Sequence, residues 1–147
     1  MLQEKAHTAQ MAPVSKRLIM LIIIFMALGT GIELTLLKHY EDIWQLVPLL
    51  LLSAALVVFI FTLFKPTSVI RNIFIIILSA CIISGFVGAG MHLNANMEFA
   101  LELNPSAKGW PLIVKSFTGA FPALAPGSMI VFGLIGYLYT TLILKKQ

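Results

Sequence analysis

The sequence predicts an all-α protein: an integral membrane four-helix bundle with an additional interfacial amphipathic helix between spans three and four. Three observations lead there. Four apolar runs of 17 to 20 residues occupy 18–37, 46–64, 73–91 and 128–144. Each is close to the ~20 residues, at about 1.5 Å rise, that cross a hydrocarbon layer of ~30 Å. Only the first run contains an acidic or basic residue, Glu33. Hydrophobic residues make up 59% of the chain and charged residues 11%, against about 45–50% and about 25% in soluble domains. An ordinary water-soluble domain is thereby excluded. Within hydrocarbon every backbone polar group must be satisfied internally, and runs of this length do so as helices rather than barrel strands.

Taken in order, residues 1–17 form a cytoplasmic tail carrying Lys5, Lys16 and Arg17. Span 18–37 has a competing reading as a cleaved signal peptide, with Ala27-Leu28-Gly29 as a poor cleavage site. The apolar sequence continues past Gly29 to Leu37, which favours an uncleaved span. Span 46–64 holds Pro48 in its first turn, where proline is tolerated. Lys65-Pro66-Thr67-Ser68 is a short link, so its flanking helices are antiparallel neighbours. Span 73–91 contains the single cysteine, Cys81, so no intrachain disulfide is possible.

The segment 92–127 is an outer loop with an amphipathic helix. Asn104-Pro105 reads as a helix start, with Asn104 as N-cap and Pro105 at the first helical position. Trp110, Ile113, Val114, Phe117 and Phe121 then follow helical spacing, with Lys108 and Lys115 off the stripe. Such a helix lies in the outer interface with Trp110 and Phe117 dipping into acyl chains. Residues 119–127 are apolar but rich in helix breakers, and read either as a re-entrant turn or as a loop over the bundle. The chain is one membrane domain, 1–147.

Basic residues mark the cytoplasmic side. With four crossings, Lys5, Lys16, Arg17, Lys65, Arg71, Lys145 and Lys146 share one side, and Lys38, Lys108 and Lys115 the other. Both termini are therefore expected inside. The formal charge of +4 reflects this sidedness, and no nucleic-acid partner is expected.

Small residues suggest where helices meet: Ala80, Ser84 and Gly88 on span three, Gly133 and Gly136 on span four, and Gly29 on span one. Span two lacks such a ridge and is expected to face lipid or a partner protein. The candidate polar or ion-binding residues are Glu33, His92, Asn94, Asn96, Glu98 and Glu102. Glu33 lies slightly below the outer boundary, where an ionised carboxylate needs a partner or water. Its expected partner is His92, with Lys38 as the other option. An extended 92–98 would align His92, Asn94, Asn96 and Glu98; a helical one would stack Asn94, Glu98 and Glu102.

No HxxxH, CxxC, GxSxG or phosphate-binding glycine motif occurs. His39 and His92 would allow one haem between them, but nothing else supports it; no metal, cofactor or catalytic residue is expected. Two functions fit. One is a non-catalytic subunit or binding module of a membrane complex, whose partners are the bilayer and a second membrane protein or another copy. The alternative is a small proton- or cation-coupled transporter using Glu33 at an outer-facing cavity. A membrane enzyme with Glu33 and His92 as acid–base pair is a third possibility.

Overall fold

A computed structural model describes the backbone of residues 2–123 and 125–144, with side chains from Lys16 onward. Five helices follow one another: α1 (Leu2–Leu36), α2 (Ile43–Phe64), α3 (Ser68–Leu103), α4 (Trp110–Phe117) and α5 (Gly127–Leu142). The stretches Lys16–Leu36, Ile43–Phe64 and Ser68–Leu103 are each long and apolar enough to cross a membrane. α5 is apolar but has 16 residues, about 24 Å of helix. Lys5, Lys145 and Lys146, assigned above to the inner side, lie outside the residues whose side chains are described.

Local chemistry sets the helix ends. The Asp42 carboxylate accepts the Gln45 N–H at 3.0 Å and so caps α2. The Thr67 hydroxyl accepts the Ile70 N–H at 3.2 Å and caps α3. At their other ends both helices are closed by a residue that precedes a proline. Lys65 (φ −139°, ψ 79°) precedes Pro66, and Asn104 (φ −146°, ψ 90°) precedes Pro105. The proline ring disfavours the helical region for the residue before it.

This terminator corrects the expected outer loop. α3 does not end near Met91 but continues to Leu103, 36 residues in all, about 54 Å of helix. Between His92 and Leu103 there is no glycine or proline to interrupt it. Asn104 closes α3 instead of opening the next helix. α4 begins after Gly109, whose φ of 66° is in the left-handed region that glycine tolerates. Pro111 lies in its first turn, where the missing N–H costs nothing. α4 ends at Phe117, so Phe121 lies beyond it.

α3 is the axis. It touches α2, α4 and α5, while α1 leans on α2 and α5. At the end of the bundle nearest the α2–α3 link, Phe59 of α2, Phe74 of α3 and Tyr139 of α5 pack as a buried trio, ring centres 5.2 to 6.4 Å apart. The Thr62 hydroxyl donates to Phe59 O at 2.6 Å, so the Tyr139 hydroxyl donates to Thr62 Oγ1 at 3.2 Å. α2 therefore does not face lipid all round: it buries Leu52, Ala55, Phe59 and Thr62.

The α3–α5 seam uses glycine, but on a face rotated from the expected ridge. Gly85 is buried, whereas Ala80 and Ser84 are only partly so. A methyl group at Gly85 would come within 2.6 Å of Ile130 Cγ1 and 2.9 Å of Pro126 O. Gly88 meets Pro126, Gly133 meets Leu78 O and Ile82, and Gly136 meets the Leu78 side chain. Gly29 is not a packing residue within the bundle; it is exposed, with no heavy atom within 4 Å of where a Cβ would sit. Two similar-looking substitutions should consequently diverge. Gly85→Ala is expected to lower stability by about 1–3 kcal/mol through overpacking. Gly29→Ala should be neutral or stabilising by up to ~1 kcal/mol through helix propensity. Thermal unfolding in detergent measures both.

Candidate functional site

Five of the six polar residues singled out above lie on the C-terminal third of α3 and the sixth, Glu33, on α1, and the expected pairing is not found. His92 is one turn from Asn96, and these two side chains grip the segment 116–122. The Asn96 amide nitrogen donates to Ser116 O at 2.9 Å and to Phe121 O at 2.7 Å. Its carbonyl oxygen accepts the Phe121 N–H at 2.9 Å. His92 Nδ1 lies 3.1 Å from Pro122 O. A carbonyl only accepts, so Nδ1 carries the hydrogen.

Asn96 is 1% exposed. A buried amide must satisfy its donors and acceptor, and here it does so entirely with backbone groups. In this arrangement it staples the 116–121 segment to α3. Gly119 is required beside it, because a methyl group there would collide with the Asn96 side chain.

Glu33 is exposed on α1, and the expected Glu33–His92 pair does not form: the His92 hydrogen bond goes to Pro122, and its ring faces His39 and Phe121. Similar depth along two helices says nothing about rotation about their axes. Asn94 donates to Glu98 Oε1 at 2.7 Å, as the helical register requires. Glu102 follows one turn on, and all three are exposed. The extended alignment of His92, Asn94, Asn96 and Glu98 is excluded, since the segment is helical.

Sequence reasoning weighed His39 only as a haem ligand. Its ring centre lies 6.3 Å from that of His92, with the planes at 64°. Burial holds the His39 imidazole below its usual range; His92 adds to this and Asp42 opposes it. Among the described residues no three His, Cys, Asp or Glu side chains gather as a metal site.

α4 faces the opposite way from a helix on a soluble domain. Its apolar Trp110 and Phe117 are 72% and 52% exposed, while the polar Ser116 is 7% exposed. The Ser116 hydroxyl satisfies itself on Leu112 O at 3.0 Å. A separate apolar groove of about 340 Å³ lies between the C-terminal half of α1 and the N-terminal half of α2, lined among others by Ala27, Gly31, Thr35, Leu52, Ser53 and Leu56. Its hydroxyls bond within their own helices, Thr35 to Gly31 O and Ser53 to Leu49 O, both at 2.8 Å. Glu33 does not line it.

The staple can be tested against its exposed neighbour. Asn96→Asp keeps the acceptor for Phe121 N–H and removes both donors. It should raise amide exchange in 116–121 on the order of a hundredfold, about 3 kcal/mol of local opening. Asn94→Ala should cost under about 0.5 kcal/mol. Comparison with protein-family models, with curated proteins and with solved structures finds no match to this chain.

Proposed function

We propose that this chain is a non-catalytic multi-pass membrane subunit that acts by contact, bedded in the outer leaflet through α4 and open to a neighbouring membrane protein along α1. The observation that carries this reading is the direction α4 faces. A helix that buries its one serine and displays Trp110, Ile113, Val114 and Phe117 is exposed to something other than water. It is attached at Asn96, about 7 Å of helix beyond the end of the apolar run, which is the depth of the headgroup layer. Lys115 and Lys108 are exposed beside it and suit anionic headgroups.

In this reading α5 makes a fourth crossing and both termini are cytoplasmic, following the lysines and arginines. On α1, Gly29 and Glu33 are one turn apart on a shared, exposed face. Glycine admits a close helix, and a carboxylate at that depth is stabilised by a polar or cationic partner. The transporter reading requires Glu33 at a cavity, and its position outside the α1–α2 groove gives that reading no support.

Two measurements bear on this. In a Trp44→Phe background, Trp110 fluorescence should be quenched by lipids brominated high in the acyl chain; quenching by aqueous iodide alone would refute the bedding of α4. Purified from its membrane in mild detergent, the chain should bring a stoichiometric protein of different sequence. Gly29→Leu should reduce that yield about tenfold, the equivalent of ~1.4 kcal/mol. Recovery solely as a homo-oligomer would count against the subunit assignment.

A further inference from the structure

Three segments at one end of the bundle meet at two imidazoles. His39 belongs to the link between α1 and α2, and His92 to α3. The His92 ring also meets Phe121 at 6.1 Å, and its Nδ1 holds Pro122 O at 3.1 Å. Both histidines are half-buried. The α1–α2 link thus meets α3 through one histidine, and the α4–α5 link meets the same α3 histidine.

We propose that His39 and His92 form a proton-sensitive latch: neutral, they hold the α1–α2 link against α3 beside the α4–α5 link, and acid releases it. The groups that act on the His39 ring are few. From α3 there is His92, and from the α2 cap there is Asp42. The α4–α5 link presents the Phe121 ring and the Pro122 carbonyl to His92, neither of which titrates. Lys38 and Glu41 flank the histidine in sequence and are exposed. The Asp42 carboxylate accepts from Gln45 N–H, and its pull on a His39 proton is outweighed by burial and His92 together. No third metal-binding side chain joins the pair among the described residues, so protons rather than a metal ion are the ligand this geometry takes.

The sign follows from the direction of the His39 shift. The folded state prefers the neutral ring, so the contact contributes fully above the ordinary value of 6.5. It drains away as the pH falls below that value, because the released link takes up a proton more readily than the held one. A charged His39 ring is no longer suited to its half-buried place beside His92, ring centres 6.3 Å apart, and the link moves outward.

The test is hydrogen exchange on the full chain in nanodiscs at about pH 7.5 and about pH 5.5, corrected for the intrinsic pH dependence of exchange. Protection of 37–42 should fall by about threefold or more in acid, while 118–123, held by donors that acid does not remove, should not change. The ends of α2, α3 and α5 around the Phe59–Phe74–Tyr139 trio should not change. His39→Gln should abolish the response. His92→Asn, which keeps a donor for Pro122 O, should shrink it, because only the burial of His39 then remains to favour the neutral ring, and provides the answer if the first variant folds poorly. A response of undiminished size in either folded variant overturns the latch. So does a loss of protection spread over the whole chain, or a wild type that shows no change.

Discussion

Hydrocarbon gives a helix no reward for hiding its apolar side chains, so the close fit of α3 against α5 must come from shape. That seam organises the rest of the molecule. Leu78 of α3 is received by Gly136 and approaches Gly133 through its backbone carbonyl, while Gly85 and Gly88 receive Ile130 and Pro126 from the other side. The two helices interlock by exchanging side chains for glycine hydrogens. Because Pro126 immediately precedes α5, seating it on Gly85 and Gly88 also fixes where the 118–126 segment can run. That segment is thereby delivered to His92 and Asn96. The polar cap is a downstream consequence of an apolar fit.

Prolines set the second constraint. Pro66 and Pro105 impose an extended backbone on Lys65 and Asn104 and so decide where α2 and α3 stop. With nothing to interrupt it earlier, α3 rises past its apolar run and carries Asn96 and Ala100 out as a buried row for the adjoining chain to rest on. α4 is short, and eight residues cannot hold a helix in isolation. Its attachment to α3 supplies the order, and its outward apolar face is the remainder.

The apolar runs were legible because a bilayer imposes a length. The three long helices cover the first three runs, and the stripe from Trp110 to Phe117 announced α4 by its period. Other features were not legible for identifiable reasons. Asn-Pro can open a helix by capping or close one by pre-proline strain, and the dipeptide looks the same in both roles. The ridge Ala80-Ser84-Gly88 and the buried face through Cys81 and Gly85 differ by a rotation of one residue, which small side chains in a sequence do not resolve. Glu33 and His92 share a depth but not a direction. Span two seemed featureless because its buried row of Leu52, Ala55, Phe59 and Thr62 is little different in polarity from its exposed one. The partners that hold Asn96 are backbone groups of 116–121, which no side-chain pattern discloses.

The two ends of the molecule are consequently held by different forces. At one, Phe59, Phe74 and Tyr139 fill one another's edges and faces with a single hydroxyl pair among them. At the other, the 116–122 segment hangs on four hydrogen bonds to two side chains. Packing between aromatic rings is indifferent to pH across the neutral range. Hydrogen bonds from an amide and an imidazole are more easily disturbed, since competing water weakens either. Local opening free energies follow such differences, and segments with few apolar contacts open first. The polar cap is therefore the end expected to open first, with the α3–α5 seam opening last.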